Sequence, residues 1–218
     1  RNKGRIMTLP AEKLITINDR GARTATTFGS VTAGGADMVF IKKLTASADA
    51  NLTFVDGASS VVLDSTYKEY LFTFNNIHPA TDDSKLLVNF RDGGTDYDAT
   101  KTTTFFRAQH SEGGANGNLS YRTDDDLAQS TAAQPLTMDI GNANDESASG
   151  SLTLFNPSDT TFIKHFKSNS NCVYSGDYSM QSFAAGYCNV TAAIDAVQFT
   201  MEGGTNIDSG DICLYGIL

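Results

Sequence analysis

Tyr70-Leu71-Phe72-Thr73-Phe74-Asn75-Asn76-Ile77, followed at Lys85 by Leu86-Leu87-Val88-Asn89-Phe90-Arg91 and the turn Asp92-Gly93-Gly94, decides the class of fold. Side chains along a strand alternate between the two faces of a sheet. Tyr70, Phe72 and Phe74 therefore share one face, and Leu86, Val88 and Phe90 repeat the arrangement. A period of 3.6 would scatter these rings around a helix. The Asp-Gly-Gly that follows is turn chemistry, because glycine accepts positive φ and aspartate closes a turn through its own side chain.

The same pattern extends in both directions. The spacing predicts strands over 38–44, 52–55, 103–109, 118–122, 135–140, 151–155, 161–166, 183–188, 195–201 and 211–217, in addition to 70–77 and 85–91. Between them lie Asp56-Gly57, Gly113-Gly114-Ala115-Asn116-Gly117, Gly141 to Asp145, Asn156-Pro157-Ser158-Asp159 and Gly203-Gly204-Thr205-Asn206. No amphipathic segment of helix length occurs; Ser65–Glu69 and Thr123–Gln129 each have room for one helical turn. Ten to twelve short strands at this spacing fit a sandwich, jelly roll or barrel. An antiparallel, jelly-roll-like β-sandwich is the expectation, because tight and long connections alternate. No fixed-period repeat points to a propeller or β-helix. The last strand, from Asp211 to Ile217, is apolar on both faces, which predicts a place inside a sheet, with a subunit interface as the alternative.

At 218 residues the chain is long for an average domain but ordinary for one β-sandwich. Its 19 glycines and its many Ser, Thr, Asn and Asp disfavour helix interiors, and 13 Phe and 8 Tyr supply the core in the absence of Trp. The net charge is −9, which argues against nucleic acid or an anionic membrane as partner. No apolar run reaches the ~18 residues of a membrane span. Neither an n-region nor an h-region opens the sequence, so no secretory leader is expected.

The charge is unevenly spread. Residues 1–24 hold six basic and two acidic side chains, a balance of +4, which leaves −13 on the remaining 194. We therefore divide the chain into an extended basic arm, 1–36, and a sandwich domain, 37–218. Arg1, Lys3, Arg5, Arg20 and Arg23, with the short apolar run Leu14, Ile15 and Ile17, are the expected interface residues, the arm docking on an acidic neighbour such as another copy.

The chemistry-bearing residues do not assemble into a known catalytic pattern. His78, His110 and His165 lie in no nucleophile motif, and GxSxG, Walker and dinucleotide-binding fingerprints are missing. Asp92, Asp96 and Asp98 in a glycine-rich loop are a weak calcium candidate without the order of an EF-hand. Cys172, Cys188 and Cys213 form no CxxC pair and read as free buried thiols, with a Cys172–Cys188 bridge as the alternative. No cofactor, no metal and no catalytic residue are expected. Tyr97, Tyr121, Tyr174, Tyr178 and Tyr187 are candidates for stacking on a sugar.

The stretches from Asp64 to Asp82, Asp126 to Ser130, Gly150 to Ser158 and Ile207 to Ile217 resemble segments of uncharacterised structural proteins of marine tailed bacteriophages. The resemblance covers about residues 38–218; the basic arm departs from the shorter N-termini of that family. It implies a virion component of no known chemistry. The expected function is a non-enzymatic, self-associating particle-surface protein, a capsid decoration or head-surface module. Its expected partners are other virion proteins and further copies, a trimer being the favoured order. A tail-fibre or tail-tip module that binds a host receptor or glycan is the alternative.

Overall fold

A computed structural model of the chain describes residues 38–218. The chain divides into a unit over 1–36 and a compact unit over 37–218. The expected interface residues of the arm, from Arg1 to Arg23, lie outside the described residues.

Twelve strands make up the described body: β1 (Met38–Asp49), β2 (Asn51–Val55), β3 (Glu69–Pro79), β4 (Leu86–Arg91), β5 (Lys101–Ser111), β6 (Asn118–Tyr121), β7 (Gln134–Pro135), β8 (Ala148–Phe155), β9 (Lys164–Tyr174), β10 (Tyr178–Cys188), β11 (Ala196–Met201) and β12 (Ile207–Ile217). They form two antiparallel sheets, ordered β1-β12-β3-β8-β9-β10-β5-β6 and β2-β11-β4-β7. The pairs β1–β12, β2–β11, β3–β8 and β4–β7 nest one inside another. That nesting is a long antiparallel ribbon rolled on itself, the connectivity of a jelly roll. Two hairpins, β5–β6 and β9–β10, are inserted into the ribbon, and both add to the same side of the larger sheet.

Alternation builds the core between the sheets. Tyr70, Phe72 and Phe74 of β3 face Phe54 of β2 and Phe199 of β11, all fully buried. Phe54, Phe72 and Phe199 meet as a triad with centroids 5.3 to 6.2 Å apart. Rings at such tilted and edge-on angles gain beyond their buried area. β12 lies between β1 and β3, as its two-sided apolar pattern predicts.

The smaller sheet is too narrow to cover the inserted hairpin. The extended segment 134–141 fills that space. Its backbone has few strand partners, so the inner faces of β9 and β10 supply them from small polar side chains. The Ser182 hydroxyl accepts from the Met138 N–H, and Ser170 donates to the Leu136 carbonyl. The expected strand over 135–140 is thus two residues of β7 and then a segment bonded mostly by side chains. The expected strand over 161–166 starts later, at Lys164, and runs on to Tyr174. Ser65–Glu69 and Thr123–Gln129 hold bends and turns in place of helical turns.

Candidate functional site

The two sheets differ on their outward faces. The small sheet shows water Asn51, Thr53, Asn89 and Gln198. The large sheet shows rows in which aromatic rings alternate with small polar side chains. One row, read across paired strands, is Tyr121, Phe106, Phe183, Asn169, Ser151, Thr73, Cys213 and Lys43. The next is Thr104, Ala185, Lys167, Thr153, Leu71, Tyr215 and Phe40. Phe40 is 57% exposed, Tyr121 52% and Phe106 39%. Lys43 and Lys167 carry the only formal charges in these fifteen positions.

Phe106 and Phe183 stack with centroids 4.7 Å apart and planes 13° from parallel. Neighbouring strands lie ~4.8 Å apart, so two rings on adjacent strands meet face to face at that spacing. They stand as a ridge on the sheet. Beside the ridge the side chains shorten to Ala185, Ser151, Thr153 and Asn169, and a cleft of about 310 Å³ opens between the ridge and Lys167. Lys167 leans over the Phe155 ring at 5.4 Å.

The other candidates are dispersed. Asp96 and Asp98 are exposed and Asp92 is half-buried; among the described residues no group of three His, Cys, Asp or Glu converges. His110 is exposed, His165 packs edge-on against Tyr187, and His78 lies 3.6 Å from Asp208. Tyr97 sits under Arg91, Tyr121 donates to Asp126 and Tyr174 packs on Tyr178. The five tyrosines thus form no common platform. All three cysteines are buried and unpaired. Burial pushes the Cys172 and Cys188 thiols up to about 12, which makes them poor nucleophiles.

Among the described residues four charged side chains are buried: Lys101, Asp125, Glu146 and Lys164. Asp125, 1% exposed, accepts from Lys85 at 2.8 Å and from Arg122 at 3.3 Å; Asp139 and Glu202 lie 3.8 and 3.7 Å from the same ammonium. Burial, opposed by Lys85, raises the Asp139 carboxyl. These contacts tie the loops at one end of the sandwich together. Lys101 and Lys164 are fully buried on either side of Cys188. Lys101 donates to Asn89 and to the Ala99 carbonyl, Lys164 to the carbonyls of Phe162 and Val190. Each buried cation is held by neutral acceptors, a structural arrangement that staples loops to the sheet.

The stacked pair escaped the sequence reading. Phe105 and Phe106 are adjacent, so alternation alone does not say which ring faces water.

Compared with protein-family models, curated proteins and solved structures, the chain matches none of them. No helix among the described residues is long and apolar enough to cross a membrane.

Proposed function

We propose that this chain is a non-enzymatic structural module that associates with copies of itself on the surface of a particle, in keeping with its resemblance to tailed-phage virion proteins. Capsid decoration is the role that suits a rigid sandwich. One observation carries the self-association: the rings of Phe40, Phe106 and Tyr121 stand exposed on the outward face of the large sheet, in two rows whose only charges are Lys43 and Lys167, on a protein of net charge −9. Exposed rings grouped on one face of a folded surface mark contact sites. The face also offers an acidic body its least repulsive approach to another copy. The basic arm adds to this reading. Its +4 balance complements the −13 of the remainder, so the arm of one subunit suits the acidic surface of the next.

Native mass by multi-angle light scattering tests the reading. A closed oligomer at micromolar concentration is the expected result. A monomer up to about 100 μM, an affinity weaker than ~5 kcal/mol, overturns it.

A second reading is favoured by the cleft beside Phe183, where an aromatic wall meets Lys167 and Asn169. A sugar ring packed on that wall would make the chain a glycan-binding tail module. Hits on a glycan array that vanish with Phe183→Ser would support it.

A further inference from the structure

We infer that the outward face of the large sheet pairs with the same face of a second copy, the Phe106–Phe183 ridge of each subunit seating in the cleft of the other. This inference rests on the self-association proposed above and names the surface that makes it.

The shape argues for a self-match. Ridge and cleft sit side by side on one face, the cleft flanking Phe183 and floored by Ala185, Ser151 and Thr153. A two-fold axis lying parallel to the sheet, in the plane between the two faces and passing between ridge and cleft, places each ridge over the other cleft, which is the isologous geometry of a dimer. A cleft of about 310 Å³ has room for the outer part of the stacked rings.

Area and charge agree. Eight strands at ~4.8 Å spacing and about eight residues of ~3.3 Å rise give a face of roughly 900 Å². A stable interface needs about 800 Å² from each partner. The Phe106–Phe183 ridge, towards the β6 end of that face, supplies the kind of aromatic anchor from which interfaces draw much of their affinity. Lys167 lines the far wall of the cleft with its ammonium 5.4 Å from the Phe155 ring centroid, so the one charge beside the ridge is engaged on an aromatic face. The smaller sheet has polar side chains at the matching positions and offers no competing face.

The test uses the full chain and three substitutions, each checked for an unchanged thermal midpoint. Phe183→Lys puts a charge on the ridge, and Thr153→Trp fills the cleft while leaving the ridge intact. Each is expected to raise the dimer dissociation constant at least 30-fold, the effect of losing about 2 kcal/mol at a hot spot. Asn169→Cys lies beside the inferred axis and is expected to form a disulfide-linked dimer under mild oxidation, whereas Thr53→Cys on the small sheet stays monomeric under the same treatment. Cys172 and Cys188 are buried in the core, and because Cys213 lies in the outward row both cysteine variants carry Cys213→Ser. If the protein is an oligomer whose mass neither Phe183→Lys nor Thr153→Trp changes, this interface is wrong while self-association stands; a persistent trimer would be such a case. If the wild-type chain is a monomer, both proposals fail. A monomer that binds glycans only with Phe183 intact assigns the cleft to a sugar and overturns the second copy as its occupant.

Discussion

Lys101 shows how one buried side chain sets the response of the whole fold to alkali. Burial pulls its ammonium down to about 8 from an ordinary 10.5. Between those two values the unfolded chain holds a proton that the folded chain has released, so this residue makes stability rise with pH by roughly 3 kcal/mol over the window. Cys172 and Cys188 act in the opposite sense. Burial lifts both thiols from 9.0 to about 12, so the unfolded chain releases protons that the folded chain keeps, and stability falls above about pH 9. Burial of Tyr70 raises its hydroxyl and adds to that fall at higher pH. Urea midpoints measured from pH 7 to 10 are expected to climb to a maximum near pH 9 and then decline. In Lys101→Met the climb should vanish and the decline remain; a climb that persists in the variant would show that another group causes it. Asp125 gives a second expectation at this scale. It is the buried centre of the contacts to Lys85 and Arg122. Asp125→Asn removes the carboxylate shared by both cations, leaves Lys85 only its longer contacts to Asp139 and Glu202, and should lower the unfolding free energy at pH 7 by about 1–3 kcal/mol. Lys85→Met with Asp125→Leu should recover much of it, because removing both buried charges also removes their desolvation cost.

Strands were legible wherever the inward residues were large. The runs with Tyr70, Phe72 and Phe74, with Leu86, Val88 and Phe90, or with Val197 and Phe199 could be placed within a residue or two from alternation alone. The first half of β10 and the second half of β9 were not legible. Their inward residues include Ser170 and Ser182, which bond the backbone of segment 134–141, and Ser168, which donates to the Ser151 carbonyl. A tertiary demand had replaced the apolar signal. Ser182→Ala tests that account: it leaves the Met138 N–H without its acceptor and should cost about 1–3 kcal/mol in chemical denaturation. A loss below a few tenths would mean that segment 134–141 is held by its apolar side chains alone. A second irregularity, the bulge on β3, was equally hidden. Asn76 takes φ 51° and its N–H donates to the Ser149 hydroxyl, while Gly210 opposite takes φ 121°. A Cβ at Gly210 would meet the Asn76 carbonyl oxygen and the Ile77 Cα. Nothing local to Asn75-Asn76 or to Ser209-Gly210 marks them as opposed, since they lie on strands distant in sequence.

At the scale of the molecule, two kinds of attraction between copies should separate by their response to salt. The face-to-face contact is aromatic and nearly free of charge, so its strength should change little with ionic strength. The attraction of the basic arm for an acidic body acts between exposed charges and is screened beyond ~8 Å at physiological salt. Light scattering on the full chain and on a chain beginning at Ala36, each from 50 to 500 mM salt, distinguishes the two. The full chain should associate more tightly at low salt and lose that advantage, about tenfold in dissociation constant, as salt rises. The shortened chain should remain a dimer with an affinity that salt hardly moves. If shortening abolishes association at every salt concentration, the arm and not the sheet face holds copies together, and Phe183 loses its assigned role. If shortening changes nothing at low salt, the +4 and −13 halves of the charge distribution do not meet between copies. The arm would then be suited to a different acidic surface, which is what attachment to another protein of the particle requires.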